Sequence, residues 1–198
     1  MTFQELLKNR RSIRDFQDQE VPLDVLEEIL REATLAPSAS NNQPCRFSIV
    51  QCKKTLKALS DESKANLLAD FSRNPSSLNP AYVDALKDEQ FNVFYNAPCA
   101  IFISGPNTVP SLEVDCALAA SYIMFSAASR GLGTCWIALG AQIRNPQLKA
   151  LLAIPEGCRI VAPIIIGYPK AIPPASERHA PQILRVIREM KSAAPDGR

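Results

Sequence analysis

Leu112-Glu113-Val114-Asp115-Cys116-Ala117-Leu118-Ala119-Ala120-Ser121-Tyr122-Ile123-Met124-Phe125-Ser126-Ala127-Ala128-Ser129-Arg130 reads as one long helix, nearly all apolar and rich in Ala and Ser. A helix of that kind is buried on most sides, so it belongs either to a central layer or to a subunit interface. Gly131 ends it, and Thr134-Cys135-Trp136-Ile137-Ala138-Leu139 then reads as a strand. Upstream, Cys99-Ala100-Ile101-Phe102-Ile103-Ser104 is a buried strand closed by Gly105-Pro106. Alternation and β-branching predict a third strand over Phe47-Ser48-Ile49-Val50-Gln51, and a fourth runs from Arg159 to Ile166. Strands mixed with helices make this an α/β (α+β) chain.

Further out, residues 2–9 carry Phe3, Leu6 and Leu7 at helical spacing. Pro22 introduces a helix whose Leu23, Leu26, Ile29, Leu30 and Ala33 share one face, and Pro37 stops it. Residues 54–95 are helical in pattern but broken at Asn74-Pro75 and Asn79-Pro80; 61–95 is read as a mobile helical insertion. A short helix is expected from Pro146 to Leu152 and a last one around Gln182 to Met190. With no repeat and no linker, residues 1–198 are expected to be one domain.

The bulk properties remove several function classes. The net charge of +2 is spread over the chain, which gives no case for nucleic acid or a membrane surface. No signal peptide or membrane span is read. The six cysteines contain no C-x-x-C pair, and Cys99, Cys116 and Cys135 sit in apolar stretches as small hydrophobes. A reducing compartment, the cytoplasm, is expected. The single histidine, His179, leaves little material for a zinc site or a Ser-His-Asp triad, and a solvent-exposed or capping role suits it. Gly131-Leu132-Gly133 lacks the third glycine of a dinucleotide fingerprint and precedes a strand instead of following one.

Two segments could carry binding chemistry. If Arg10-Arg11-Ser12-Ile13-Arg14 is extended, Arg10, Ser12 and Arg14 share a face, with the two arginines roughly 13 Å apart. Guanidinium groups grip phosphate bidentately and a serine hydroxyl adds a donor, although such a cluster can also be a solvated helix terminator. Ala36-Pro37-Ser38-Ala39-Ser40-Asn41-Asn42-Gln43-Pro44 is a polar, donor-rich loop between helix and strand, suited to a ligand or simply to a turn.

Arg10-Arg11-Ser12-Ile13-Arg14-Asp15-Phe16 followed by Ala36-Pro37-Ser38-x-x-Asn41-x-Gln43-Pro44 resembles the paired N-terminal motifs of the nitroreductase family. Asn96-Ala97-Pro98, Gly131 to Ile137, Ile154-Pro155-Glu156-Gly157 and Gly167-Tyr168-Pro169 follow in that family's order. The resemblance implies a central, mainly antiparallel sheet flanked by helices, an intertwined homodimer, and bound FMN with NAD(P)H as reductant. Arg10, Arg11 and Ser12 would then meet the phosphate and ribityl, and Arg14 the pyrimidine end of the ring. Pro37, Ser38 and Asn41 would reach the partner's flavin, Trp136, Ile137, Ala138 and Leu139 would lie along the ring, and Arg178 would complete the phosphate clamp. The flavin carries the chemistry, so no catalytic side chain and no metal are expected.

The activity so implied is transfer of electrons from NAD(P)H through flavin N5 to an electron-poor small molecule, a nitroaromatic or quinone, by a ping-pong mechanism. Enone reduction, dehalogenation, oxidation and flavin binding without turnover are the alternatives. The insertion would cover the cleft, where Tyr82, Phe91, Phe94 and Tyr95 either stack on a planar acceptor or serve the core. Cys45 stands where that family commonly has tryptophan, Ser40 where glycine is frequent, and Ala138-Leu139 where glycine or an acidic residue is often found.

Overall fold

Every residue of the second strand is buried but its last, because the sheet is covered on both faces. The computed structural model describes residues 2–188. Strands β1 (Arg46–Val50), β2 (Cys99–Pro106), β3 (Gly133–Trp136) and β4 (Cys158–Gly167) form one sheet ordered β1-β2-β4-β3, with every pair antiparallel. Along β2, Ala100 and Phe102 join one core while Cys99, Ile101 and Ile103 join the other, as a period of two requires.

The helices divide between the two faces. Helix α2 (Leu23–Ala33) supplies Leu26 and Ile29 to the second core, and α5 (Leu112–Ser129) adds Leu112, Cys116 and Ile123. Helices α3 (Lys53–Arg73) and α4 (Val83–Lys87) cover the opposite face with Leu56, Leu59 and Leu86. Helix α1 (Phe3–Asn9) begins at a capping box between Thr2 and Glu5, and α6 (Pro146–Leu151) at the Asn145 side chain. By length and hydropathy α5 could cross a bilayer, yet its inner side is packed here on the sheet and α2.

Two expectations are corrected. The strand expected over Thr134–Leu139, β3, stops at Trp136, and a 3-10 turn, Ala138–Ala141, follows. Beyond the Trp136–Ile164 pair the strand would face Pro163. Pro163 accepts the Ile137 N–H (2.8 Å) but has no N–H to return, so the ladder ends. The helix expected around Gln182 to Met190 is absent over 182–188, and Met190 lies outside the described residues. Ile183, Leu184, Val186 and Ile187 are exposed there, and a short helix with nothing to pack on is marginal in water. Smaller shifts are of a residue or two, save that α2 ends at Ala33, ahead of Pro37.

Candidate functional site

The chain straightens after α1 and runs as an extra rail along the β3 edge of the sheet. Ile13 N–H donates to the Thr134 carbonyl (2.9 Å) and Gln17 N–H to that of Tyr168 (2.8 Å), with Ser12 bridging Thr134 in parallel fashion. Ile13 and Phe16 turn inward and are buried, while Ser12 and Arg14 are exposed and Arg10 and Arg11 half-buried. Glycines receive the inward pair. A Cβ on Gly133 would lie 2.6 Å from Ile13, and one on Gly167 2.9 Å from Phe16 and 2.7 Å from Pro98. The N-terminal motif, Gly131 to Ile137, Asn96-Ala97-Pro98 and Gly167-Tyr168-Pro169 are thus interlocking parts of one packing unit.

The rail's donors point to an anion. Arg11 Nη1 donates to the Arg10 carbonyl (2.7 Å), but its Nε is buried with no protein partner. Arg10 and Arg11 border a cavity of about 110 Å³ with Gly131, Gly133 and Thr134. A buried donor without an acceptor is costly, so a cradle of this kind fits a phosphate. The Arg14 guanidinium lies 5.7 Å from the Tyr95 ring centroid, and Tyr95 stands edge-on to Phe91 at 5.8 Å. Behind the rail, burial pushes the Cys135 thiol up, partly offset by Arg14, Ser12 and Arg10.

The turn after β3 is the next wall. Trp136 is half-buried with an unpartnered Nε1, Ile137 is buried, Ala138 is exposed and Leu139 half-buried. The Ile137 N–H is used by Pro163, whereas Ala138 and Leu139 open a helical turn, where first N–H groups have no internal partner. Gly140 admits Phe94, whose ring would lie 2.4 Å from an added Cβ.

Helix α3 props this turn through residues the sequence reading did not single out. Ser63 Oγ donates to the Leu139 carbonyl (2.6 Å) and accepts from Gln142 N–H (3.2 Å); Asn66 Nδ2 donates to the Gln142 carbonyl (2.8 Å). Ser60 Oγ accepts the Val93 N–H (3.0 Å), and the buried Lys64 ammonium donates to the Asp88 and Phe91 carbonyls. The available signal was polar residues lying in the same helical stripe as Leu56 and Leu59.

The Pro37 loop sits elsewhere. Ser40, Asn41 and Gln43 all have positive φ (51°, 54° and 46°). Gln43 N–H donates to Ser38 Oγ (2.9 Å), and Ala39 N–H to Asp115 Oδ1 (3.0 Å) on α5. Pro37 and Asn41 are exposed and Ser38 is half-buried; Pro37 and Ser38, with Cys45 and Asp115, line a cavity of about 240 Å³. This loop feeds β1, at one edge of the sheet, whereas the Arg10 rail lies beyond β3, at the other. Four lateral spacings separate them, roughly 19 Å.

Arg178 and His179 lie in the tail 171–188, exposed throughout and without regular structure. Of the aromatic candidates, Phe94 is fully buried against Phe102 and belongs to the core, while Tyr82 is exposed and Phe91 and Tyr95 are half-buried. Among the described residues no group of side chains has metal-site geometry.

Comparison with known proteins adds a second line. The profile described as Nitroreductase family matches residues 7–168. An Archaeoglobus fulgidus protein provisionally named an NADH dehydrogenase/NAD(P)H nitroreductase is 30% identical over 168 residues, covering 83% of this chain and 84% of that protein. The fold matches a Bacteroides fragilis nitroreductase with bound FMN at a TM-score of 0.78, with 24% identity over 94% of this chain and 98% of that one. An FMN-dependent nitroreductase from Clostridium difficile is 29% identical, with a TM-score of 0.65 over 87% of this chain and 90% of the other.

Proposed function

Because this chain belongs to the nitroreductase family, we propose that it is an FMN-dependent oxidoreductase that works as a homodimer and reduces an electron-poor small molecule at the expense of NAD(P)H. Bound FMN would supply the chemistry, accepting reducing equivalents from the nicotinamide and passing them on in ping-pong fashion to a nitroaromatic, quinone or similar acceptor. The observation that carries the reading is the rail Arg10–Arg14, whose half-buried arginines include an orphaned Nε beside a small cavity.

On this reading Arg10, Arg11 and Ser12 hold the phosphate and ribityl. Arg14, steadied by Tyr95, faces the pyrimidine end of the ring, where a cation stabilises the negative charge of the reduced form. Trp136, Ile137, Ala138 and Leu139 form the wall beside the ring, with the Ala138 and Leu139 N–H groups available as donors. The separation of the two motifs across the sheet supports a dimer, because Pro37, Ser38 and Asn41 then serve the neighbouring subunit's site rather than their own. The surface agrees: Phe3, Leu7, Leu35, Val114, Leu118 and Tyr122 are exposed, on or beside α1, α2 and α5. Arg178 completes the phosphate clamp from the tail, and the segment 61–95 overlies the cleft. Residues 1–198 act as one domain.

The deciding experiment is the visible spectrum of purified protein before and after anaerobic NADH or NADPH. A yellow dimer that bleaches supports the reading, and reoxidation by a nitro compound, quinone or oxygen then sorts the acceptors. A yellow protein that neither nucleotide bleaches would be a flavin-binding module. A colourless protein that FMN does not stabilise overturns the proposal.

A further inference from the structure

Cys45 follows the Pro37 loop directly and is half-buried, with its side chain on the wall of the 240 Å³ cavity. Its Sγ lies 3.7 Å from Sγ of Cys116, which is fully buried on the inner side of α5. Both thiols are free. No other pair among the six cysteines lies within hydrogen-bond reach of one another. A disulfide requires a sulfur separation of about 2.05 Å, so each sulfur need move by less than about 1 Å.

We propose that Cys45 and Cys116 form a peroxide-oxidised dithiol site, with an intrachain disulfide as its product. The proposal goes beyond the flavin reading and does not depend on it. The Cys45 sulfur attacks one oxygen of a hydroperoxide; the O–O bond breaks, the leaving oxygen departs as water or an alcohol, and Cys45 becomes a sulfenic acid. The Cys116 sulfur then attacks Cys45 Sγ. The S–S bond forms, the S–O bond breaks, and the displaced hydroxide leaves as water with the Cys116 thiol proton. Two thiols are oxidised by two electrons and one peroxide is reduced.

The roles of the two sulfurs are unequal. The hydrogen bond they share holds the Cys45 thiol below its ordinary range and pushes that of Cys116 far above it, with burial adding to the latter. The accessible sulfur is therefore the nucleophile and the buried one the resolver. By contrast, burial pushes Cys99 up to about 12, and Cys52 is exposed with no second thiol beside it. Oxidation would also have a mechanical effect. Asp115, the neighbour of Cys116, already holds Ala39 N–H. The disulfide would thus tie both ends of the strained segment 39–45 to consecutive residues of α5.

The test uses full-length protein with its native cofactor content, carrying Cys52→Ser to remove the exposed thiol. After reduction and desalting under argon, one equivalent of hydrogen peroxide should remove two titratable thiols per chain, measured in denaturant and restored by dithiothreitol. Peptide mapping should link the Cys45 peptide to the Cys116 peptide within one chain. Adding Cys45→Ser should abolish that loss, and adding Cys116→Ser should leave Cys45 as a sulfenic acid labelled by dimedone. Should the Cys116 variant fail to fold, the peptide map of the parent decides alone. Survival of all five remaining thiols, or a crosslink between subunits or between another pair, would overturn the proposal.

Discussion

Gly133 shows how much of the site depends on one missing methyl. An added Cβ would lie 2.6 to 2.9 Å from three atoms of the Ile13 side chain, and Ile13 anchors the rail between Arg10 and Arg14. Gly133→Ala is expected to cost about 1–3 kcal/mol by overpacking and to displace Ser12 and Arg14. FMN affinity should therefore fall more than tenfold while the far-UV spectrum stays native; unchanged affinity by fluorescence titration would detach the rail from the cofactor. Arg14 makes a separate prediction. A cation about 4 Å from the charge of the reduced ring, at an effective dielectric of 20, contributes about 4 kcal/mol. If half survives desolvation, about 2 kcal/mol corresponds to roughly 40 mV in a two-electron couple. Arg14→Ala should lower the flavin midpoint potential by that order with flavin still bound, and an unmoved potential would refute the role.

Among the elements, α3 and α5 do most to hold the site. Ser60, Ser63 and Lys64 make α3 a brace for the segments 88–93 and 139–142, so that stripe is polar where a purely structural helix would be apolar. Helix α5 is tied to α2 at its far end, where Arg130 meets Glu32 at 2.6 Å and Glu28 at 3.5 Å. Hydrogen bonds from Arg130 and Ser126 pull the Glu32 carboxyl down to about 2 from 4.5. A carboxyl depressed in the folded state stabilises above its unfolded value, and that contribution is lost as pH falls. The window here runs from 4.5 down to about 2. Both partners are partly exposed, so the contribution is about 1 kcal/mol or less. Urea unfolding should show Glu32→Gln less stable than the parent at neutral pH, with the gap closing through that window. A constant gap would mean that the ion pair is not its source.

At the scale of the whole molecule, the apolar residues left on α1 and α5 and the extended tail belong to one problem. A second copy covering Phe3, Leu118 and Tyr122 would bury surface that a monomer exposes. Tyr122→Asp is expected to shift sedimentation from dimer to monomer and to release FMN with it, since each site then lacks the neighbour's Pro37 loop. A monomer that retains its flavin would contradict the shared site. Arg178→Ala should leave the dimer intact but weaken cofactor retention during dialysis, and full flavin occupancy afterwards would remove Arg178 from the clamp.

The sequence by itself determined the strands and the main helices, because periodicity and proline positions are local properties of the chain; it left Arg10–Arg14 open between an extended run and a helix terminator, which pairing with Thr134 decides. It also marked Gly133 and Gly167 within motifs, without revealing that their missing side chains make room for Ile13 and Phe16. The end of β3 was not legible, since it depends on a proline in a different strand, Pro163. Nor was the role of Ser63 or the meeting of Cys45 with Cys116, contacts across 76 and 71 residues. Only tertiary structure decides which distant atoms share a neighbourhood, and hydrogen bonds and thiol pairs act over a few ångströms of space regardless of distance along the chain.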